Sequence, residues 1–199
     1  MKKVFLSSVM MLLIVIGYSQ GYSPGSKATD FKLLNVDGNL VSMADFPDAK
    51  GFIIIFTCNS CPYSVAYEDR KIALSNKYRP LGYPVIALNP NDSLVQPKDS
   101  FSKMIDRSKE KRLPYPYLLD TDQKVAKQYG ATRTPHVYVL QKEKDDLIVK
   151  YIGAIDNNYE DAVSASEHYV EAAVDALLQG KDVAVSSTKA IGCSIKFKK

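Results

Sequence analysis

A chain of 199 residues, 46% hydrophobic and 24% charged, can bury a core as one domain and lacks the bias of a disordered or fibrous chain. Its formal charge of +4 is modest and it carries no long Lys/Arg block, which argues against a nucleic-acid surface. Three cysteines are too few for a disulfide scaffold, so any chemistry they carry is local.

The first residues read as a targeting segment. Lys2-Lys3 is a positive start, Val4–Ile16 is apolar apart from Ser7 and Ser8, and Gly17-Tyr18-Ser19 offers small residues at a cleavage site. A signal peptide over residues 1–19 implies export to the periplasm or beyond. The apolar run is short of the ~20 residues of a spanning helix, so a membrane is met only through this segment, if it stays uncleaved. Residues 20–28 read as a Gly/Ser/Pro linker, 29–180 as the domain, and 181–199 as a tail that packs on it.

Phe31–Leu34 and Leu40–Met43 flank Asp37-Gly38, a hairpin signal. Gly51–Thr57 is an apolar run of strand length and reads as the central strand. A helix is predicted from Cys61 to about Tyr78, with Pro62 in its first turn, where a missing N–H costs nothing. Tyr63, Tyr67, Leu74 and Tyr78 form its core stripe. Pro84–Leu88 reads as a strand, Ser100–Lys111 as a helix, Tyr115–Leu119 as an extended segment and Asp122–Tyr129 as a short helix. Pro135–Leu140 and Ile148–Ile152 read as a hairpin across the charged turn Gln141–Asp146. Glu167–Gln179 reads as the last helix, closed by Gly180. Strands alternating with helices predict a three-layer α/β domain with a mixed central sheet.

Cys58 and Cys61 stand where the central strand turns into a helix. Helix N–H groups there favour a thiolate, and disulfide exchange needs a thiolate with a second thiol in reach. Position in the turn predicts Cys58 as the attacking thiol and Cys61, one helical turn in, as the resolving one. An inert disulfide is the plainer alternative. A zinc site would need further ligands, and the chain has no second Cys pair. A Cu(I) carrier using Cys58, Cys61 and His136 is the non-enzyme alternative. His136 follows Pro135 and reads as a strand histidine that would tune a thiolate if it faced the sulfurs. Glu68 and Arg70 are too close on the helix to share a face and read as solvated or structural. Cys193 reads as a buried structural thiol, a third redox cysteine, or an intermolecular link.

A CxxC after the first core strand, with Thr134-Pro135 before a later antiparallel pair, resembles the thioredoxin fold. The resemblance implies a cis bond at Thr134–Pro135 and a substrate-positioning role for both residues. Closer still, Cys58-Asn59-Ser60-Cys61-Pro62-Tyr63 with Ala66, Glu68 and Arg70, Pro116–Asp120, Val125–Ala131 and Ile191–Lys196 resemble the peroxiredoxin-like branch of the alkyl hydroperoxide reductase/thiol-specific antioxidant superfamily. The chain departs from both patterns. It has no Trp beside the pair. In the register of a peroxidatic Pro-x-x-x-Thr-x-x-Cys ending at Cys61, the Thr position is Cys58 and the Pro position Ile54; ending at Cys58 they are Ile55 and Gly51. The expected activity is therefore thiol–disulfide exchange with disulfide- or dithiol-containing proteins. A thiol peroxidase taking peroxide is the enzyme alternative. No organic cofactor, resident metal or nucleic-acid partner is implied.

Overall fold

The computed structural model describes residues 21–198. The signal segment expected over residues 1–19 lies outside the described residues. In chain order the strands are β1 (Lys27–Ala28), β2 (Lys32–Asn35), β3 (Leu40–Ser42), β4 (Gly51–Phe56), β5 (Val85–Asn89), β6 (Tyr117–Leu119), β7 (Arg133–Thr134), β8 (His136–Glu143), β9 (Asp146–Gly153) and β10 (Cys193–Ser194). The α-helices are α1 (Pro62–Ala66), α2 (Glu68–Tyr78), α3 (Phe101–Lys111), α4 (Lys124–Tyr129) and α5 (Tyr169–Leu178).

An apolar strand can satisfy its backbone and its side chains only with neighbours on both edges and cover on both faces. β4 has all four. It lies parallel to β5 and antiparallel to β8, and all six of its residues are buried. The large sheet runs β1-β9-β8-β4-β5-β6-β2-β3. Only the β4–β5 and β5–β6 pairs are parallel, so the sheet is mixed as expected. Ile53 and Ile55 face one core with Leu74 of α2, Met104 of α3 and Val170 and Val174 of α5. Phe52, Ile54 and Phe56 face the other core, with Val125, Ala126 and Tyr129 of α4. Each fully buried aliphatic side chain is worth about 1.5–3 kcal/mol. This is the predicted three-layer α/β arrangement, with the β2–β3 hairpin at one edge. No described helix is long and apolar enough to cross a membrane.

Three local expectations are corrected. The helix after the cysteines is two helices, broken at Tyr67 (φ −86°, ψ 3°). The break lets the Tyr67 hydroxyl reach Asp156 Oδ1 at 2.8 Å while Arg70 lies 4.0 Å over the Tyr67 ring. The segment read as a linker is tied down: β1 pairs with the β9 edge and Tyr22 packs edge-on against Tyr129. The β8–β9 hairpin is longer and its turn tighter than the charged stretch suggested, because charged side chains at its end point to solvent while the backbone continues the ladder.

Candidate active site

Strand register builds the site. Phe56 of β4 pairs with His136 of β8. The chain two residues beyond Phe56 therefore meets the chain two residues before His136, which sets Cys58 against Thr134. Cys58 Sγ lies 3.3 Å from Thr134 Oγ1. Cys61, at the N-cap of α1, donates as a thiol to the Thr134 carbonyl at 3.1 Å. The Thr134–Pro135 bond is cis, and Thr134 is fully buried. The third thiol arrives from the C-terminus. Cys193 of β10 stands opposite Thr134 of β7, and its backbone N–H donates to Cys61 Sγ at 3.4 Å. The three cysteines are free thiols, Cys58 and Cys61 buried and Cys193 half-buried. The structure thus gathers Cys58, Cys61, Thr134, Pro135 and Cys193 at one place.

The two sulfurs of the pair are unlike. Hydrogen bonding from the Cys58 thiol, then from Cys193 and the Ser64 and Cys193 backbone N–H groups, brings Cys61 down to about 4 against the opposing effect of burial. Cys58 is pushed up. It gives its hydrogen bond to Cys61, it is desolvated, and the Asp99 carboxylate lies nearby. Cys193 is raised to about 11 by burial and by its neighbour Cys61. The shifts favour the thiolate at Cys61, which on losing its proton gives up the bond to the Thr134 carbonyl and keeps that from the Cys193 N–H.

Asp99, which sequence reasoning passed over, holds the turn between the cysteines. It is completely buried. Its Oδ1 accepts the Asn59 and Ser60 N–H groups at 2.9 and 3.0 Å, and its Oδ2 accepts Ser60 Oγ at 3.0 Å and Asn91 Nδ2 at 2.6 Å. Gln96 Nε2 and Tyr117 OH add bonds to Ser60 and Asn59 at 2.7 and 2.9 Å. The only sequence trace of this residue is an acidic side chain just before the Ser100 N-cap, which carries no specific signal.

Behind Cys58 lies a small cavity lined by Thr57, Glu68, Lys71, Arg107, Tyr115 and Tyr117. Lys71 Nζ donates to Thr57 Oγ1 at 2.9 Å. Burial pushes its ammonium down to about 8, with Glu68 and Cys58 opposing. Glu68 is buried and accepts Arg107 through both carboxylate oxygens, at 2.9 and 2.5 Å. Arg70 clamps Asp156 Oδ2 at 2.6 Å and the Asn158 and Tyr159 carbonyls at 2.5 and 2.6 Å. Both residues are structural, as one of the two expectations had it, and Glu68 is not solvated.

His136 is a buried strand residue. It stacks near Tyr138 (centroids 4.9 Å apart), its Nδ1 accepts the Thr132 N–H at 3.4 Å, and burial lowers it to about 4. Among the described residues no hydrogen bond joins it to either sulfur, and no group of three or more His, Cys, Asp or Glu side chains is placed to hold a metal ion.

The model of the AhpC/TSA family matches residues 24–152, most of the sheet and both cysteines of the pair. The chain belongs to this family. A crystal structure of an uncharacterized conserved protein from Geobacillus kaustophilus is 36% identical, with a TM-score of 0.81 over 88% of this chain and 93% of that one. The thiol-disulfide oxidoreductase ResA of Bacillus thuringiensis is 26% identical over 157 residues, 71% of this chain and 84% of the relative. The solution structure of a putative thioredoxin from Neisseria meningitidis is 28% identical, with a TM-score of 0.51 over 62% of this chain and 79% of that one. The thioredoxin-like fold expected from the CxxC and Thr-Pro positions is the fold of this AhpC/TSA member.

Proposed function

We propose that this AhpC/TSA protein is an exported thiol–disulfide oxidoreductase whose redox pair is Cys58–Cys61. The observation that carries the reading is the placement of two free thiols in one turn: Cys61 stands at the N-cap of α1 with the Cys193 N–H on its sulfur, and Cys58 lies buried beside it against Thr134. That is the state from which exchange begins. Cys61 as a thiolate attacks one sulfur of a substrate disulfide. The substrate S–S bond breaks, the other substrate thiolate leaves, and Cys61 is held in a mixed disulfide. Cys58 then gives up its proton and attacks Cys61 Sγ. The second substrate thiolate leaves and takes up a proton. The substrate has gained two electrons and Cys58–Cys61 is the disulfide. A partner protein dithiol restores the pair.

In this proposal the roles expected from position in the turn are exchanged: Cys61 attacks and Cys58 resolves. Lys71, buried on the Cys58 side, favours the Cys58 thiolate as it forms. Thr134 and Pro135 position the substrate strand against the pair. The Lys2-Lys3 and Val4–Ile16 pattern supports export.

A peroxidase reading draws support from the family and from the charge on Cys61. Peroxide would convert Cys61 to a sulfenic acid, and Cys58 would condense with it, releasing water and leaving the same disulfide. Single-turnover reduction of a model protein disulfide separates these readings and the order of the thiols. Cys58→Ser is expected to trap a mixed disulfide on Cys61, and Cys61→Ser to form none. A mixed disulfide on Cys58 in the second variant contradicts the order. Stoichiometric peroxide consumption without protein-disulfide reduction favours the peroxidase.

A further inference from the structure

The edge of β7 beside Pro135 is already occupied. β10 pairs with it antiparallel, Cys193 opposite Thr134 and Ser194 opposite Arg133. A cysteine-bearing segment lies extended against the residues just before Pro135, with its backbone N–H on Cys61 Sγ. Building on the thiol–disulfide reading, we propose that the C-terminal strand is a resident occupant of the substrate edge. It sits in the register that a cysteine-bearing substrate strand takes, and it must lift before Cys61 can react.

Four observations carry this. First, Cys61 is only 3% exposed, so an external disulfide cannot reach it while β10 is in place. Second, the tail is fixed firmly on either side of the site and loosely across it. On one side Thr188 N–H donates to the Ile152 carbonyl at 2.9 Å and Thr188 Oγ1 accepts the Ala154 N–H at 3.0 Å. On the other, Ile195 is buried, its N–H donates to the Thr132 carbonyl at 3.1 Å, and Lys196 N–H donates to Asn91 Oδ1 at 2.9 Å. Between these anchors the contacts are weaker in kind: Arg133, itself exposed, donates to the Gly192 carbonyl and Ser194 Oγ, and the Cys193 N–H donates to sulfur, a weak acceptor. This stretch therefore opens first. Third, Lys189 and Ile191 are exposed and give the strap room to lift.

The fourth observation describes the partner. A Cβ on Gly192 would stand 2.2 Å from the Thr134 carbonyl oxygen, a backbone atom that cannot move aside. Whatever takes this edge in the same register needs glycine immediately before its cysteine. The partner class is thus an extended protein segment with a Gly-Cys step whose cysteine is in a disulfide. Arg133 would donate to the backbone carbonyl before that cysteine, as it now donates to that of Gly192.

Site-resolved alkylation of the reduced full-length protein tests the gate without any turnover. Iodoacetamide labelling of Cys61 is followed by peptide mass spectrometry in wild type, Gly192→Ala and Arg133→Ala. Gly192→Ala is expected to speed Cys61 labelling by roughly tenfold or more, because the strand cannot stay paired. Arg133→Ala removes two strap contacts from an exposed position and is expected to speed it roughly two- to tenfold. Rates equal to wild type in folded variants overturn the proposal, and Arg133→Ala decides the matter if Gly192→Ala does not fold. The register is tested on wild type with two peptides, identical but for Gly-Cys or Val-Cys, each carrying thionitrobenzoate on its cysteine. Cys61 attacks the peptide sulfur, the S–S bond breaks and coloured thionitrobenzoate leaves. The Gly-Cys peptide is expected to react roughly tenfold faster; equal rates overturn the shared register. Failure of the oxidoreductase reading is seen separately, as a wild-type protein that forms no Cys58–Cys61 disulfide under mild oxidation.

Discussion

The two walls of the site are built on different principles. The wall on the Asn59–Ser60 side is a network centred on one buried carboxylate, in which Asp99 accepts two backbone and two side-chain donors. The wall on the Cys193 side is a two-residue strand pair that depends on the absence of a side chain at Gly192. A saturated buried network has one arrangement, because every alternative leaves a polar group unpaired. A short strand pair at the surface can open at little cost. The first wall therefore fixes where the sulfurs stand, and the second decides when they are reached.

The comparison is broken most forcefully at Asp99. Asp99→Ala leaves the Asn59, Ser60 and Asn91 donors without their acceptor, and a loss of about 3 kcal/mol or more of unfolding free energy is expected. Denaturant melts read it, and a loss below ~1 kcal/mol would mean that the network is not what holds the turn.

A smaller effect is expected at Lys71, on the same fixed wall. Its ammonium is pushed down to about 8 by burial, while the unfolded chain titrates near 10.5. Between those values the unfolded state binds more protons than the folded one, so this residue makes stability rise with pH from about 8 toward 10.5. Lys71→Met is expected to flatten that rise, by at most about 1.4 kcal/mol per pH unit. An unchanged slope in melts across this window contradicts the assignment.

The smallest global effect is expected on the other wall, in the stretch between the anchors. Arg133→Ala removes only two contacts made from an exposed position, so a loss of about 1 kcal/mol or less is expected in the melt. The Cys193 amide, bonded to Cys61 Sγ, should exchange with solvent much faster than the Ile195 amide at the anchor. A loss of about 2 kcal/mol or more would show that this stretch is part of the cooperative unit.

The same division explains what was legible in the sequence. β4, the β2–β3 hairpin and the CxxC turn are local patterns: an apolar run, an Asp-Gly pair, and cysteines beside Pro62. The pairing of Phe56 with His136 makes the Thr134 contact, and it needed only the resemblance to be anticipated. Asp99, Lys71 and Gly192 were not legible. Each draws its importance from atoms distant in sequence: the Asn59–Ser60 turn, Thr57, and the Thr134 carbonyl. The break at Tyr67 was hidden for the same reason, since the helical pattern is continuous and the partner that the Tyr67 hydroxyl bonds there, Asp156, lies far along the chain. The proposed order of the thiols draws on the Cys193 N–H, which meets Cys61 only in the folded chain.

The central claim is that Cys58 and Cys61 form a redox pair with the charge resting on Cys61. Equilibration of the full-length protein with graded thiol–disulfide buffers, followed by peptide mapping, tests it most directly. Holding Cys61 down to about 4 stabilises the reduced form, which makes a disulfide more oxidising. The expected result is a reversible Cys58–Cys61 disulfide whose potential lies above the ~ −270 mV of thioredoxin, toward the ~ −120 mV of a strong oxidant. A pair that forms no disulfide across the range, or one with a potential below that of thioredoxin, contradicts the account.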